Sequence, residues 1–329
     1  MQKLRLVFAG TPAAAVPSLE RLAASRHEIA AVVTRPAAPL GRKRVLTPSP
    51  VAAAAEHLGL PVVEAARLDE ATTRRLVAHE PDLGVIVAYG GLVREPLLSA
   101  PTHGWINLHF SLLPAWRGAA PVQHALIAGD AVTGASVFQL VPELDAGAVF
   151  AERSRPISPD DTAGTVLEVL AHEGAELLAE VVDGIADGTA TATPQVGEPT
   201  FAPKLGIEDA RLDWSAPADV VRNRFRGVTP EPGAWTTIDD QRLKVLDLGE
   251  ASEASEAPDA PEANDANDAN DAPDAATLAP GSLRLVGRRL LVGTGTSPLE
   301  LRRVQPAGRT AMSAADWWRG AGRDGAVAR

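Results

Sequence analysis

The residues best suited to chemistry lie in one short stretch, Trp105–Pro114 (WINLHFSLLP). Asn107 and His109 are two positions apart on a predicted strand, Trp105–Phe110, so their side chains share one face of a sheet. They stand at the carboxyl end of that strand, where open α/β sheets place their ligands. A carboxamide can donate a hydrogen bond to an oxygen that gains negative charge, and an imidazole can donate a hydrogen bond or a proton. The pair therefore indicates chemistry at such an oxygen, although this spacing alone fits equally well two polar residues that only satisfy a strand end.

The strand that carries this pair belongs to a regular series of predicted elements. Apolar runs that predict strands buried on both faces lie at Leu4–Ala9, Ile29–Thr34 and Leu83–Ala88. Helical patterns separate these runs, and a long helix is predicted over Thr162–Ala186. Strands that alternate with helices predict an α/β fold with a parallel-rich, Rossmann-like sheet. We place this first domain at residues 1–188.

The remainder of the chain predicts a smaller second domain. Residues 189–209 contain many Thr and Pro residues and are predicted to be a linker. From residue 210 to 329, short β-type runs between Gly and Pro turns suggest a small barrel similar to an oligonucleotide-binding (OB) fold. Residues 251–276 contain no large apolar side chain, so burial cannot offset the entropy of ordering them. They predict a disordered acidic insert, and an acidic interaction segment is the alternative.

Composition excludes several classes of protein. The chain has no cysteine, which excludes disulfides, thiolate metal sites and a cysteine nucleophile. The seven histidines show no ligand spacing, so no metal is predicted. No apolar run approaches the roughly 20 residues of a membrane span, and the N-terminus lacks a signal-peptide pattern, so we expect a soluble cytoplasmic protein. The net charge is −11, but nine acidic residues lie in 250–274, so local basic patches elsewhere can still bind anions.

One such basic patch is the segment Arg35–Pro50. It contains four cations and no acid, and its Pro and Gly residues predict a loop. The cations are Arg35, Arg42, Lys43 and Arg44. Composition alone is compatible with contact to nucleic-acid phosphates or with a solvated charge cluster.

The order of several motifs resembles the folate-dependent formyltransferase superfamily. The three motifs are the Asn107-x-His109 strand end, the loop Ser111-Leu112-Leu113-Pro114 and the turn Leu144-Asp145-Ala146-Gly147. Stretches that resemble the methionyl-tRNA branch of that superfamily lie at Phe8–Pro12, Val87–Gly90, Trp116–Pro121 and Gln305–Arg309. The resemblance covers nearly the whole chain except the acidic insert. It departs at Phe110, where a small residue is common, and at Ala115, where a basic residue is common.

The resemblance implies an activity and a mechanism. It implies transfer of a formyl group from 10-formyltetrahydrofolate to the amino group of methionine on initiator methionyl-tRNA. The amine would attack directly, and Asn107 and His109 would hold the oxyanion of the tetrahedral intermediate. The pattern alone makes Asp145 a turn residue, but the resemblance gives it control of the charge state of His109 and relay of the amine proton. A carboxylate beside a buried imidazole is expected to favour the charged form.

The resemblance also implies the binding residues. The expected folate-binding residues are Tyr89, Gly90, Gly91, Leu92, Ser111, Leu112, Leu113 and Pro114. The expected contacts to the tRNA acceptor end are Arg35, Arg42, Lys43 and Arg44, and basic residues of the second domain would continue this track. No feature of the sequence indicates an obligatory protein partner.

Other functions remain open from sequence. A formyltransferase that acts on a small amine would share the motifs but would need neither the basic loop nor the second domain, and hydrolysis of formylfolate would replace the amine by water. A nicotinamide-dependent dehydrogenase fits the fold, but the first turn, Gly10-Thr11-Pro12, lacks the Gly-x-Gly-x-x-Gly pattern. A non-catalytic RNA-binding module would leave Asn107, His109 and Asp145 without a purpose.

Overall fold

The computed structural model describes residues 2–41, 44–251, 278–321 and 326–329. The chain divides into two compact units. The first unit comprises Met1–Ala125, Asp130–Asp161 and Thr165–Lys204, and the second comprises Leu126–Gly129, Thr162–Gly164 and Leu205–Arg329. The division falls inside the segment predicted to be a linker. The predicted insert 251–276 lies outside the described residues, except for residue 251.

The first unit is built on a seven-stranded sheet. Its strands are β1 (Arg5–Gly10), β2 (Glu28–Thr34), β5 (Val62–Glu64), β6 (Leu83–Val87), β7 (Trp105–His109), β9 (Val132–Gln139) and β10 (Val149–Pro156); two small sheets pair β3 (Ala38–Leu40) with β4 (Val45–Thr47) and β8 (Arg117–Gly118) with β11 (Phe201–Ala202). The helices are α1 (Val16–Ala23), α2 (Pro50–His57), α3 (Glu70–Val77), α4 (Pro121–Ala128) and α5 (Ala163–Ala186). The strand order is β10-β9-β7-β6-β1-β2-β5, with antiparallel pairing only where β9 meets β7 and β10. The predicted parallel-rich α/β sheet is therefore confirmed.

Strand β7 is held in place by its first residue. Trp105 is fully buried, and its indole Nε1 donates to the Leu97 carbonyl oxygen at 2.8 Å. Gly84 on the neighbouring β6 makes this possible, because a Cβ there would lie 2.1 Å from the Trp105 ring. On the opposite face of the sheet, Leu108 packs against Gly174 of α5, where an added Cβ would lie 3.0 Å from the Leu108 side chain. These two contacts determine which face of the sheet Asn107 and His109 occupy.

The second unit contains an antiparallel sheet. Its elements are α6 (Ala218–Gly227), β12 (Trp235–Ile238), β13 (Gln241–Glu250), β14 (Leu283–Val286), β15 (Arg289–Val292), β16 (Leu299–Pro306), β17 (Met312–Ser313) and α7 (Ala314–Ala321). The strand order is β12-β13-β16-β15-β14, and β17 pairs with β16. The last residues of the chain join the two edges, since Ala328 bridges Ile238 of β12 and Val327 bridges Ser282 beside β14. This closure confirms the predicted small barrel-like fold.

The segment Arg35–Pro50, predicted to be a loop, contains regular strand pairing. Its described residues form a hairpin in which β3 pairs antiparallel with β4. Val45, Leu46 and Thr47 favour extended backbone, and Gly41 adopts the left-handed conformation (φ +70°) at the turn. Arg42 and Lys43 lie outside the described residues. Among the described residues, no helix is both long enough and apolar enough to cross a membrane.

Candidate active site

Asn107 and His109 lie at the carboxyl end of β7, as the sequence predicts. Asn107 is flanked by Ile86 of β6 and Phe138 of β9, and His109 is paired with Ser136 of β9. The Oδ1 atom of Asn107 is buried and has no hydrogen-bond partner within the described part of the chain. A buried carbonyl oxygen without a hydrogen bond is costly in a folded protein.

The ring of His109 is buried and held on one side by a backbone carbonyl. Its Nε2 lies 2.9 Å from the Trp116 carbonyl oxygen. A carbonyl oxygen only accepts hydrogen bonds, so Nε2 carries the hydrogen. The other ring nitrogen, Nδ1, faces the Asp145 carboxylate, with 3.9 Å between Nδ1 and Oδ2. In the neutral ring Nδ1 is then unprotonated and free to accept a proton.

Two opposing effects act on the pKa of His109. Burial lowers the pKa of His109 below its ordinary value, and this outweighs the Asp145 carboxylate and the Trp116 carbonyl, which both raise it. The Asp145 carboxylate at 3.9 Å favours the charged imidazole, as expected, but the loss of hydration on burial opposes it and is the larger effect. The net lowering of the His109 pKa favours the neutral imidazole.

Asp145 is brought to His109 by the turn in which it lies. Its backbone is in the left-handed region (φ +46°), which Asp and Asn tolerate better than most residues. Its Oδ2 accepts a hydrogen bond of 2.8 Å from the Gly118 backbone N–H. The following Gly147 has no room for a side chain, since a Cβ would lie 1.7 Å from the Gln139 carbonyl oxygen. The Leu-Asp-Ala-Gly pattern thus describes a turn that aims a carboxylate at an imidazole.

Sequence reasoning did not find Gln195, which contacts this turn. Its Nε2 donates to the carbonyl oxygens of Asp145 at 2.8 Å and Gly147 at 2.9 Å. Its Oε1 accepts from the Arg117 guanidinium, at 2.6 Å from Nη2 and 3.2 Å from Nε. Gln195 lies in a Thr- and Pro-rich segment without a motif, so no pattern in this sequence indicates its contacts.

The predicted folate residues after β6 are divided between the core and the surface. The Tyr89 ring is buried in the core, and its hydroxyl donates to the Ala65 carbonyl oxygen at 3.1 Å. Gly90 adopts a left-handed conformation (φ +75°), and Gly91 packs on the Tyr89 ring. Leu92 is 66% exposed. The backbone of the glycines and the Leu92 side chain are therefore available to a ligand, whereas the Tyr89 ring is not.

The other predicted folate residues follow directly on His109. Ser111 is fully buried, and its hydroxyl donates to the Ala115 carbonyl oxygen. The Ser136 hydroxyl accepts from the Leu113 N–H at 3.1 Å and lies 2.7 Å from the Ser111 carbonyl oxygen. Leu112 and Pro114 are partly buried, and Leu113 is buried. Because β6 and β7 are parallel neighbours, this loop and the one after β6 leave the same edge of the sheet.

The predicted tRNA-binding cations have different surroundings. Arg35 donates to the carbonyl oxygens of Ala66 and, at 3.1 Å, Gly90, so the protein itself holds its guanidinium. Arg44 is exposed, with a left-handed backbone (φ +48°). Arg42 and Lys43 are outside the described residues. In the part of the chain that is described, no three His, Asp or Glu side chains are grouped so as to hold a metal ion.

Comparison with known proteins gives the class that this fold and this site define. Sequence profiles of the formyl transferase family match residues 3–182, and those of the formyl transferase C-terminal domain match residues 204–322. The chain belongs to the formyl transferase family, which is a family of enzymes. It is 61% identical to the methionyl-tRNA formyltransferase of Leifsonia xyli subsp. xyli, over 97% of this chain and 98% of that one.

Solved structures share the fold at low identity. HypX from Aquifex aeolicus in complex with tetrahydrofolic acid has a TM-score of 0.62 and 15% identity, over 96% of this chain and 46% of that one. This chain therefore spans about half the length of HypX. The N-formyltransferase from Helicobacter canadensis, in complex with folinic acid and dTDP-3-aminofucose, has a TM-score of 0.65 and 14% identity, over 92% of this chain and 99% of that one. At these identities the likeness concerns the fold alone.

Proposed function

We propose that this enzyme transfers the formyl group of 10-formyltetrahydrofolate to the amino group of methionine on initiator methionyl-tRNA, in the cytoplasm, for the initiation of translation. The observation that carries the proposal is the 61% identity, over nearly the full length of both chains, to a methionyl-tRNA formyltransferase. The grouping of Asn107, His109 and Asp145 at one edge of the sheet supports it independently.

In the proposed reaction Asn107 stabilises the negative charge that develops on the formyl oxygen. The amine nitrogen attacks the formyl carbon, a C–N bond forms, and the formyl oxygen becomes an oxyanion. The Asn107 carboxamide N–H groups donate to this oxygen, and a preorganised donor of this kind typically contributes about 10²–10³-fold in rate. The buried Oδ1 accepts an N–H of the amine, which gives this unpartnered atom its hydrogen bond.

His109 and Asp145 move the proton. The neutral His109 takes the proton that the amine loses, at Nδ1, because Nε2 already donates to the Trp116 carbonyl. The imidazolium then faces the Asp145 carboxylate, which stabilises it. Nδ1–H donates to the oxyanion, and the proton passes to N10 of the folate when the bond between that nitrogen and the formyl carbon breaks. No covalent enzyme intermediate is required.

The two loops at this edge form the proposed folate site. Backbone groups of Gly90 and Gly91, and the loop that follows His109, face the same edge as the Asn107 carboxamide. Backbone N–H and C=O groups suit the amide-like edges of a pteridine ring, and the exposed Leu92 offers it an apolar contact.

The proposed tRNA contacts lie in the basic segment, and Arg42 provides a test of them. Arg42→Ala should weaken the affinity for tRNA and leave that for folate unchanged, because a guanidinium fork grips phosphates and base edges. If the contact is to phosphate, the salt dependence of tRNA binding should become shallower by about one unit of slope. Equal losses for tRNA and folate, or no loss, would remove the segment from the tRNA interface.

One experiment separates this function from its alternatives. The enzyme is incubated with 10-formyltetrahydrofolate and either aminoacylated initiator tRNA, uncharged tRNA, an amino-sugar nucleotide or water alone. We expect formylmethionine on the charged tRNA and no comparable turnover in the other three reactions. Turnover of the amino-sugar nucleotide would support a small-amine formyltransferase, and release of formate without an amine would support a hydrolase.

A further inference from the structure

We propose that the segment Thr193–Ala202 belongs to the active site, because Gln195, anchored by Arg117, positions the Asp145 carboxylate against His109. The sequence indicates only a linker here. The proposal rests on the proposed function in so far as Asp145 and His109 carry the reaction, and it makes Gln195 and Arg117 positioning residues rather than catalytic ones.

The contacts of Gln195 lie on both sides of the catalytic turn. Its two amide hydrogens reach the carbonyl oxygens of Asp145 and Gly147, the residues at either side of Ala146. Asp145 is in a left-handed backbone conformation, which Asp tolerates better than most residues but which still carries a cost that surrounding contacts offset. Gln195 donates both hydrogens of its side-chain amide to this turn. The Arg117 guanidinium in turn holds Oε1 with two hydrogen bonds, so the carboxamide cannot rotate to present its oxygen to the turn.

The same segment also holds the loop that contacts both catalytic side chains. The Trp116 carbonyl accepts from His109, and the Gly118 N–H donates to Asp145. Thr200, the residue before β11, supports this loop, since it accepts the Trp116 N–H at its hydroxyl (2.8 Å) and the Arg117 N–H at its carbonyl (2.9 Å).

The loop that contains β8 packs closely against the segment Thr193–Ala202. A Cβ on Gly118 would lie 2.7 Å from the Ala202 carbonyl oxygen, so β8 and β11 approach as closely as glycine allows. The Ala202 carbonyl also accepts the N–H groups of Ala119 and Ala120, at 2.9 and 3.1 Å. Asp145 is therefore connected to the segment in two ways. Its backbone carbonyl accepts a hydrogen bond from Gln195, and its carboxylate accepts one from the Gly118 N–H, which is next to β11.

This arrangement predicts what the loss of Gln195 would do. Without its donors, the Asp145 turn can relax from the left-handed conformation, and the carboxylate then leaves its position 3.9 Å from Nδ1. A misplacement of about 1 Å in a catalytic group can cost about 100-fold in rate. In this proposal Gln195 acts through the Asp145 turn and not on the substrates, so substrate binding should change little.

The test is Gln195→Met, which keeps the length of the side chain and removes all its hydrogen bonds to the turn. We expect kcat to fall about 10–100-fold, with KM for both substrates within twofold of the parent. The control is Gln241→Met, which makes the same chemical change at an exposed position of β13 and should keep full activity. Gln195→Glu is a second variant, which keeps the acceptor for Arg117 but lacks the two donors, and it should also lose turnover.

A titration of His109 by NMR needs no substrate and separates positioning from a merely structural role. With the carboxylate farther away, the pKa of His109 should be lower in Gln195→Met than in the parent, and the acidic limb of the rate profile should move to lower pH. An unchanged pKa together with unchanged kcat overturns the proposal. The proposal is also overturned if the activity of Gln195→Met falls only in proportion to the amount of folded protein and the pKa of His109 is the same as in the parent. Absence of methionyl-tRNA formylation by the parent enzyme would refute the proposed function, while the pKa comparison would still decide the role of Gln195.

Discussion

Asp145→Asn is the sharpest test of the proposed chemistry, because it removes one charge and leaves the turn intact. Asn tolerates the left-handed backbone that Asp145 adopts (φ +46°) about as well as Asp does. The amide oxygen can still accept the hydrogen bond that Gly118 donates at 2.8 Å. The folded structure and its melting temperature should therefore change little.

The expected effect on turnover follows from the distance between Asp145 and His109. In the proposed reaction an imidazolium forms at His109, whose Nδ1 lies 3.9 Å from the carboxylate of Asp145, a side chain that is only 11% exposed. With an effective dielectric constant of about 20, the attraction between the two charges is about 4 kcal/mol. Its loss corresponds to roughly three orders of magnitude, and acid–base groups typically contribute about 10²–10⁴-fold. We expect kcat to fall about 10²–10³-fold.

The assay is formylation of aminoacylated initiator tRNA, measured with a melting curve for each variant. The control is Asp69→Asn, which makes the same chemical change at the N-cap of α3, where Asn can still accept the Thr72 N–H. It should keep the parental turnover. Turnover of Asp145→Asn within threefold of the parent would return Asp145 to the role of a turn residue and refute the proton step.

Three further predictions concern stability. Burial lowers the pKa of His109, so at acidic pH the unfolded chain binds a proton that the folded chain does not. The melting temperature of the parent protein should therefore fall as the pH drops below 6.5. A fall of equal size in His109→Gln would contradict this reasoning. Gly147→Ala should destabilise the protein by about 1–3 kcal/mol, because its Cβ would meet the Gln139 carbonyl oxygen, whereas Gly206→Ala, with 3.6 Å to the nearest atom, should melt like the parent. Replacement of residues 251–276 by a short Gly/Ser linker should leave turnover and melting temperature nearly unchanged, since closure entropy varies slowly with loop length, and a large loss of either would make the insert a functional part.

Periodicity and position predicted the elements that carry Asn107 and His109. Apolar runs correspond closely to β1, β2, β6 and β7, because strands buried on both faces have little freedom of composition. The long helical pattern corresponds to α5, and the short β-type runs to the strands of the second unit. The two-residue spacing placed Asn107 and His109 on one face, as the period of a strand requires.

The parts that could not be predicted depend on contacts between residues distant in sequence. The hydrogen bonds of Gln195 span 48 to 78 positions of the chain, and no local pattern encodes them. The charge state of His109 depends on how far the ring is buried, which motif spacing does not report. Tyr89 stands in a motif that suggests a binding role, but its ring belongs to a buried cluster with Ile86, Leu97 and Trp105, two of which come from other parts of the chain. Arg35 is one of the predicted cations, but its place beside two carbonyl groups follows from the fold.

Backbone conformation explains why the geometry of the pair depends on such distant contacts. Three non-glycine residues around the site have a positive φ: Ala88 after β6, Trp116 beside His109, and Asp145. Each such residue costs about 1–3 kcal/mol unless its surroundings compensate. Trp116 is compensated by bonds to Thr200 and, through its indole, to Asp130, and Asp145 by Gln195 and Gly118. The distance of 3.9 Å between His109 and Asp145 is thus imposed by tertiary contacts against local preference, so substitutions of those contacts should change the chemistry before they unfold the protein.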